Sequence, residues 1–383
     1  MPSRRPHTKS RTGCNRCKEK RIKCDEAQPV CSACARYNVP CVPKPRPSRA
    51  KPARAAQSSS SQPLISPAPP IPTPESRSTI TIWEFGLLHH WILHVADSFN
   101  VSPGFCDAWR NHAIKDAVQH DFFLHMILML SCLHLALTKS PSFTESHRAF
   151  ILEGCSVATT RFRIEAGNIS DSNCQAVQAF PFLLSIYALA LGQLDREDKS
   201  EEAVLDEMIH ILILIKGNSL IRDTTNPWMQ LRGLDAWMDE KDILLHDPTE
   251  LQYDLDLSRA LGDLQPWIDS SDDEPTVKGS NTKAVELFKG ALDFHLKLNI
   301  RPLAWPNVIQ NDYLDLLRQR NPMAMVILAH YAVILGQCSS QWWCSNWGVQ
   351  LVSVIASILP QKYAEAIAYP LRMLNLNPAD TTR

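Results

Sequence analysis

The spacing of six cysteines near the N-terminus is the strongest constraint in this 383-residue sequence. Two copies of the unit Cys-x2-Cys-x6-Cys follow one another 17 residues apart, and they comprise Cys14, Cys17, Cys24, Cys31, Cys34 and Cys41. Two cysteines separated by two residues place both sulfurs on one ion, because a tight turn brings their side chains to the same side. The pattern therefore predicts a metal-binding module.

The number of thiolates predicts two zinc ions that share ligands. A structural zinc ion binds four ligands in a tetrahedral arrangement, so two ions need eight ligand positions. Six thiolates fill them only if two of the thiolates bridge both ions. The repeat makes Cys14 and Cys31, the first cysteine of each unit, the natural bridging pair. One ion would then bind Cys14, Cys17, Cys24 and Cys31, and the other Cys14, Cys31, Cys34 and Cys41. No histidine lies between residues 8 and 88, which excludes a Cys/His finger.

Two other uses of such cysteines fit the sequence less well. Three disulfides need an oxidising compartment, but the N-terminal segment is basic and lacks the apolar stretch of a secretory signal. We therefore expect an intracellular protein. A metal-storage protein would repeat the motif along the chain, whereas this sequence has one copy followed by about 340 residues of different character.

Basic residues are concentrated around the third cysteine of the first unit. The segment 17–24 reads CKEKRIKC, and the basic side chains in and beside it are Arg16, Lys18, Lys20, Arg21 and Lys23. Six thiolates and two Zn²⁺ carry a charge of about −2, which by itself favours one or two nearby cations. The remaining cations predict a basic face on a short metal-held helix, suited to phosphate contacts and to donation to guanine O6 and N7.

The segment C-x2-C-K-E-K-R-I-K-C-D-E-A-Q-P-V-C-x2-C-A-R-Y-N-V-P-C at 14–41 resembles the DNA-binding domain of the fungal zinc binuclear cluster (Zn2Cys6) family. The resemblance implies two structural zinc ions and double-stranded DNA as the partner. It also implies that Lys20 and Arg21 contact bases, whereas Lys18 and Lys23 mainly contact the backbone. In that family Pro29 would shape the loop between the two units, and CGG-type triplets would be read.

Composition changes sharply after the cysteines. Ten prolines and a serine run occur in 42–78, which predicts a disordered linker because such a segment buries too little apolar surface. Its first part is basic, with Lys44, Arg46, Arg49, Lys51 and Arg54. These residues fit extra DNA-backbone contact and nuclear import, or equally a solvated linker. No coiled-coil heptads follow the cluster, so a homodimer would have to form through the C-terminal region, and monomeric binding is the alternative.

The net charge of −1 is the sum of two oppositely charged parts. Residues 1–54 contain 15 Lys and Arg against 3 Asp and Glu, while the rest contains 24 against 37. Because affinity for nucleic acid depends on a local surplus of cations, we expect DNA recognition within the first 54 residues. The predicted domains are 10–42 (Zn2Cys6), 43–78 (linker) and 79–383 (regulatory).

Helical periodicity in the remaining chain predicts an all-α domain, with no membrane span; its regulatory role is what the resemblance given below implies. Its first apolar stripe runs through Ile82, Phe85, Leu88, Ile92, Val95 and Phe99. Further helices are expected near 120–138, 144–166, 172–191, 201–216, 228–245, 282–298, 307–319, 322–338 and 343–358, with a kink at Pro181. The stretches 87–91, 120–136, 325–335 and 342–348 resemble the helical domain of fungal regulators similar to the sterol uptake control protein. Some members bind a sterol or another apolar ligand, and others regulate secondary-metabolite genes.

Several residue groups in this domain have competing interpretations. The triplet His89, His90 and His94 has metal-ligand spacing, but we favour ordinary surface and core histidines. Cysteines without a paired motif are expected to be buried free thiols; they are Cys106, Cys132, Cys155, Cys174, Cys338 and Cys344. The tryptophans at 342, 343 and 347 are expected in the core rather than around a ligand. The acidic-hydrophobic stretch 254–274 is read as a solvated loop, with an activation segment as the alternative.

We expect a nuclear, sequence-specific transcription factor of RNA polymerase II genes that contacts the transcription machinery, controls sterol or secondary-metabolite genes, and has no enzymatic activity. The low glycine content, 13 residues, and the lack of a catalytic motif argue against a fused enzyme. The alternatives are a receptor for an apolar small-molecule effector, with DNA binding as its output, and a repressor without activation function.

Overall fold

The computed structural model describes residues 14, 17, 20, 22, 24, 25, 31–36, 80–99, 101–194, 199–231, 248–294 and 300–377. The chain divides into two compact units, Met1–Ile71 and Pro72–Arg383. The first unit contains helix α1 (Ser32–Arg36), and none of the described residues of either unit forms a strand. The predicted linker 43–78 lies outside the described residues.

The second unit is built of helices, which confirms the all-α prediction. They are α2 (Ile82–His90), α3 (Ala96–Ser98), α4 (Pro103–Asp107), α5 (Ala113–Ala117), α6 (Asp121–Leu137), α7 (Glu145–Ala166), α8 (Cys174–Leu191), α9 (Glu201–Leu231), α10 (Pro248–Gly262), α11 (Gln265–Ser270), α12 (Pro275–Leu292), α13 (Ala304–Val308), α14 (Asn311–Arg318), α15 (Pro322–Gln337), α16 (Trp347–Ile358) and α17 (Ala368–Met373). π-helical turns occur at Trp91–Val95 and Ala108–His112, and 3-10 turns at Arg301–Leu303 and Gln361–Tyr363.

The predicted helix bounds differ mainly in the middle of this unit. Helix α9 extends well beyond the predicted end at 216, and α12 begins before the predicted start at 282. Most of the predicted helix 228–245 lies outside the described residues. Helix α8 continues through Pro181, and Ser185 Oγ donates a hydrogen bond to the Pro181 carbonyl oxygen at 2.8 Å.

Helix α2 begins at a capping box. The backbone N–H of Glu84 donates to Thr81 Oγ1 at 3.2 Å, and the Glu84 carboxylate accepts from the backbone N–H of Thr81 at 2.9 Å. The two bonds satisfy N–H groups that have no partner within the helix. The sequence T-I-W-E therefore sets the start of the second unit's first helix.

The apolar stripe predicted for this first helix is wrong at its first two positions. Ile82 and Phe85 are exposed, and the buried side chains of α2 and the following turn include Leu87, Leu88 and Trp91, which face α6. Both faces of the segment are apolar, so periodicity alone does not show which face the domain covers.

The centre of the unit is formed by α6 and α15, whose residues are buried almost throughout. Helix α6 packs on α2, α7 and α8, and α15 packs on α16. Aromatic side chains fill the space beside α15: Trp305 stacks on Phe288 with ring centroids 4.6 Å apart, and its Nε1 donates to the Ala284 carbonyl at 3.2 Å. The buried indole N–H of this tryptophan is thus satisfied by a backbone carbonyl.

Among the described residues, one helix is long and apolar enough to cross a membrane, judged by length and composition. It is α8, rather than the stretch 122–137 that appears most apolar in the sequence. Of its residues, 67% are buried inside the unit, where it packs on α6, α7 and α9. A core helix passes the same test of length and composition, and packing on three sides accounts for the apolar composition of α8.

The backbones of α15 and α16 approach most closely at two glycines. A Cβ added at Gly348 would lie 2.5 Å from the backbone nitrogen of Gly336 and 2.6 Å from the carbonyl oxygen of Ala332. Backbone atoms in a packed helix cannot move aside as the end of a side chain can. The crossing therefore requires glycine at position 348.

Replacing Gly348 with alanine is expected to lower the free energy of unfolding by about 1–3 kcal/mol, because two packed backbones must separate. The matched control is Gly279→Ala in α12, where an added Cβ meets nothing within 4 Å. That substitution should raise the free energy of unfolding by about 0.5–1 kcal/mol, since it removes a helical glycine. Urea unfolding followed by tryptophan fluorescence measures both, and equal effects would contradict this account of the crossing.

The acidic-hydrophobic stretch 254–274 is folded, so its interpretation as a solvated loop is wrong for most of its length. It forms the second half of α10 and all of α11, with a two-residue turn at 263–264 between them, and 271–274 is a loop. Its apolar residues Leu257, Leu261 and Leu264 are buried in the core. The alternative of a disordered activation segment is wrong for the same reason.

An ion pair is buried beneath this stretch. Asp254 and Arg301 lie 2.9 Å apart between Oδ1 and Nη1, and both side chains are 3% exposed. The same Arg301 Nη1 donates to Gln337 Oε1 at 3.2 Å. Arg301 lies in the 3-10 turn between α12 and α13, and its side chain thus connects α10 to α15.

The remaining cysteines and tryptophans agree with the predicted core roles. Trp343 and Trp347 are fully buried, and Trp347 Nε1 donates to the Leu189 carbonyl at 2.8 Å. Trp342 is partly buried and donates to Ser98 Oγ at 2.8 Å. Four of the six unpaired-motif cysteines are buried, namely Cys132, Cys174, Cys338 and Cys344, while Cys106 and Cys155 are half-buried. None of these six forms a disulfide in the structure.

Candidate metal centre and nucleic-acid interface

Four cysteine side chains converge in the first unit. The sulfurs of Cys14, Cys17, Cys24 and Cys31 all lie within 4.8 Å of one another, and all four residues are buried. This is the set predicted for one of the two ions. Cys41 lies outside the described residues.

The distances between sulfurs fit zinc. A tetrahedral ion with Zn–S bonds of about 2.3 Å requires sulfurs about 3.8 Å apart. The Sγ–Sγ distances are 3.8 Å for Cys14 and Cys31, 3.7 Å for Cys17 and Cys31, and 3.7 Å for Cys14 and Cys34. Each of these is the edge of a zinc tetrahedron rather than a disulfide length.

The same distances distinguish Cys14 and Cys31 from the other cysteines. Cys14 lies at tetrahedral distance from Cys34 of the second cysteine repeat, and Cys31 lies at that distance from Cys17 of the first repeat. Cys14 is therefore close to sulfurs of both repeats, and Cys31, which belongs to the second repeat, lies among the sulfurs of the first. This is the arrangement that bridging thiolates require.

The backbone within each cysteine repeat positions these sulfurs. The N–H of Cys17 donates to Cys14 Sγ at 3.5 Å, and the N–H of Ile22 donates to the Cys17 carbonyl at 3.0 Å. A tight turn thus closes around the first Cys-x2-Cys pair. In the second cysteine repeat, Cys31 directly precedes α1 and Cys34 lies within it.

One functional side chain was missed in the sequence analysis. The Asp25 carboxylate accepts a hydrogen bond from the backbone N–H of Ser32 at 3.1 Å and another from the Ser32 hydroxyl. It therefore caps α1 and links the end of the first cysteine repeat to the start of the second. The signal in the sequence was an acidic residue directly after the third cysteine, in an otherwise basic segment.

Without a metal ion, the packed thiols strongly favour the protonated form. Burial raises the pKa of Cys17 well above its usual value, and hydrogen bonds from Cys14, Cys31 and Cys24 raise it further. Since zinc binds thiolates, the positive charge of the ion must overcome this penalty. Folding of the unit is thus coupled to metal binding.

One of the five predicted DNA-contacting residues lies in the described part of the chain. Lys20 is exposed in a turn after Cys17, on the solvent side of the buried sulfurs. Arg16, Lys18, Arg21 and Lys23 lie outside the described residues, so their roles stay predictions. A lysine in this position can reach a polyanion without disturbing the metal ligands.

A group of histidines lies in the helical unit, near the triplet His89, His90 and His94 noted in the sequence. His90 Nε2 is 3.0 Å from Nδ1 of His134, which comes from α6, and the His94 ring is 4.8 Å from that of His90. His89 is exposed and lies on the opposite side of α2 from the core. The structure thus pairs His90 with His134 by a hydrogen bond, and the exposed His89 agrees with the favoured interpretation of ordinary surface and core histidines.

The pKa of both paired histidines is lowered from 6.5 to about 4, mainly by burial and in smaller part by neighbouring histidines. Below pH 6.5 the unfolded chain gains protons before the folded chain does. The free energy of unfolding is therefore highest above pH 6.5 and should fall as the pH drops from 6.5 towards 4. We expect on the order of 1 kcal/mol per histidine, allowing for solvent screening.

Urea unfolding at pH 7.5 and pH 5 measures this effect. The variant His134→Gln should reduce the pH dependence, while His112→Gln, at an exposed position away from the pair, should leave it unchanged. An equal pH dependence in all three proteins would contradict the assignment to the His90–His134 pair.

The geometry of the first unit brings four buried cysteine sulfurs to distances that suit a zinc ion, in a stretch of sequence rich in lysine and arginine. Residues 12–51 match the family described as the fungal Zn(2)-Cys(6) binuclear cluster domain, which binds two zinc ions. The chain therefore contains this domain.

Similarity to whole proteins extends beyond the cluster. A Zn(2)-C6 fungal-type transcription factor, afumD, of Aspergillus fumigatus is 27% identical over 86% of this chain and 86% of its own length. A second Zn(2)-C6 fungal-type transcription factor, from Gibberella zeae, is 24% identical over 98% of this chain and 88% of its own length. Both relatives are named as transcription factors rather than enzymes, and together with the zinc-cluster domain they support a DNA-binding transcription factor.

The similarity to the sterol uptake control protein is restricted to the DNA-binding region. Sterol uptake control protein 2 of Candida albicans is 50% identical over 38 residues, which are 10% of this chain and 5% of that protein. The extended similarity of the helical unit is instead to the two fungal-type factors above.

Proposed function

We propose that this transcription factor acts in the nucleus and reads CGG-type DNA sites through a cluster of two zinc ions. In this proposal one ion is held by Cys14, Cys17, Cys24 and Cys31, and the other by Cys14, Cys31, Cys34 and Cys41. All coordination positions are filled by sulfur, so the zinc is structural and no position remains for a catalytic water.

The observation that carries the proposal is the tetrahedral spacing of four buried sulfurs next to the exposed Lys20. Charge supports it, because residues 1–54 have a large surplus of cations while the rest of the chain is acidic. An acidic helical unit is repelled by phosphate, so DNA affinity falls to the first unit.

The helical unit has a regulatory role in this proposal. Part of its described interior is occupied by large aromatic side chains, since Trp305, Tyr313 and Tyr331 are fully buried. A groove of about 630 Å³ between α8 and α9 opens at the surface, with Leu184 and Leu191 in its wall and the Lys199–Glu207 ion pair at its edge. This open groove favours regulation through surface contacts.

Substitutions in the basic segment test the DNA-binding proposal. Arg21→Ala and Lys20→Ala should each cost about 1–3 kcal/mol on a CGG site and less on unrelated DNA, because a base contact is lost. Lys18→Ala should weaken binding to all DNA similarly and reduce the salt dependence by about one phosphate contact. Fluorescence anisotropy with both DNAs over a salt series measures these effects.

The matched control is Lys283→Ala, an exposed charge on α12 in the acidic unit. It should change neither affinity nor salt dependence. Equal affinity of the unsubstituted protein for CGG-containing and unrelated DNA would overturn the proposed specificity, and an effect of Lys283→Ala as large as that of Arg21→Ala would overturn its location.

A further inference from the structure

One face of the first helix of the second unit is apolar and exposed. Ile82, Phe85 and Leu93 are 93%, 63% and 51% exposed, and Gly86 and His89 lie between them on the same side. We call these five residues the α2 stripe. It lies opposite the face that packs on α6, so the helix and the turn after it are apolar on both sides while the described chain covers only one.

The stripe is large for a surface feature without a role. If a fully exposed large side chain presents about 200 Å², its three apolar residues expose roughly 400 Å². Ile80 and Trp83 at its edge, 41% and 37% exposed, raise this to roughly 600 Å². Contiguous apolar patches of a few hundred Å² on soluble domains mark interaction sites.

The charge pattern selects the class of partner. The segment 80–95 contains no lysine or arginine, and its one carboxylate, Glu84, is buried in the capping box. A helix that lies on a membrane surface carries basic residues on its polar face, so the stripe does not suit an anionic lipid surface. An uncharged stripe can face an identical copy without bringing like charges together.

The shape of the stripe also suits a second copy. A Cβ at Gly86 would meet nothing within 4 Å, so the backbone at this glycine is open to close approach by another helix. In a two-fold arrangement around Gly86, the apolar residues before it on one copy meet those after it on the other. Two such patches would bury about 1,200 Å² in total, at the lower end of the range for specific interfaces.

We propose that the α2 stripe is a self-association surface through which two copies of this protein pair helix against helix. The pairing involves the second unit alone and needs no DNA. Its test is independent of the proposed function, because association is measured without DNA.

The experiment compares the molar mass of the full-length, zinc-loaded protein at low and high micromolar concentration by light scattering after size exclusion. The unsubstituted chain should reach twice its monomer mass. Phe85→Glu and Ile82→Glu should raise the dissociation constant by more than about 100-fold, because each substitution occurs twice in a symmetric interface. Leu152→Glu is the control, an equally exposed apolar residue on α7.

Mixing variants identifies the occupant of the stripe. Phe85→Glu and Phe85→Lys should each be monomeric, and their mixture should pair if Phe85 lies near the two-fold axis. Circular dichroism confirms that each variant is folded. A monomer at every concentration, or a dimer unaffected by Phe85→Glu and Ile82→Glu, would overturn the proposal; the former would indicate that the chain's own segment 43–78 or another protein covers the stripe.

Discussion

Replacing Cys31 with serine is expected to abolish site-specific DNA binding and to release both zinc ions. Cys31 lies at tetrahedral distance from Cys14 and Cys17 and is a ligand of both ions in the proposed cluster, so its loss removes a ligand from each proposed site. Structural zinc contributes about 10–16 kcal/mol to the folding of such modules, which far exceeds the stability that so small a unit can gain from its core. Excess EDTA should have the same effect, and added zinc should reverse it.

Zinc content by mass spectrometry and binding by mobility shift should be measured on the same samples. Cys106→Ser, at a half-buried thiol of the helical unit, is the control and should retain two ions and full affinity. Cys34→Ser should disturb one ion more than the other, since its proposed role is in a single site. Full DNA binding by metal-free protein would refute the zinc-cluster assignment.

The second large effect concerns the buried ion pair. Asp254→Asn is expected to lower the free energy of unfolding by about 3–5 kcal/mol, because it leaves the Arg301 charge buried without its counter-ion. The matched control is Asp256→Asn, two residues away on the same helix, whose partner Arg259 is largely exposed. Exposed pairs of this kind contribute about 0–1 kcal/mol.

A double substitution separates charge from packing at this position. If Asp254→Leu is combined with Arg301→Met, most of the loss should be recovered, since neither charge is then buried alone. Denaturant unfolding measures all the variants. Additive losses in the double variant would contradict an ion pair and would indicate that each residue contributes separately to packing.

The sequence predicted best those features that depend on local spacing. The cysteine cluster follows from separations of a few residues, and the long helices follow from apolar residues repeated over several turns. The Asp25 cap was missed because its partner Ser32 acts through a backbone N–H, which the sequence pattern does not display.

The remaining errors have a common physical origin in long-range contacts. The pairing of Asp254 with Arg301 joins segments far apart in the chain, so the acidic stretch was read as solvated when its key carboxylate is buried. The exposed face of α2 was assigned to the core because both faces are apolar and only the position of α6 decides between them. His134 joins His90 from another helix in the same way.

The proposed bridging role of Cys14 and Cys31 would make zinc loading cooperative. If these thiolates are common to both ions, the first ion to bind orders two of the four ligands of the second. Titration of the metal-free protein should then pass from empty to doubly occupied with little singly loaded intermediate. A cell would accordingly contain either a competent or an unfolded reader of DNA, and the module would respond to zinc availability as a threshold rather than in graded steps.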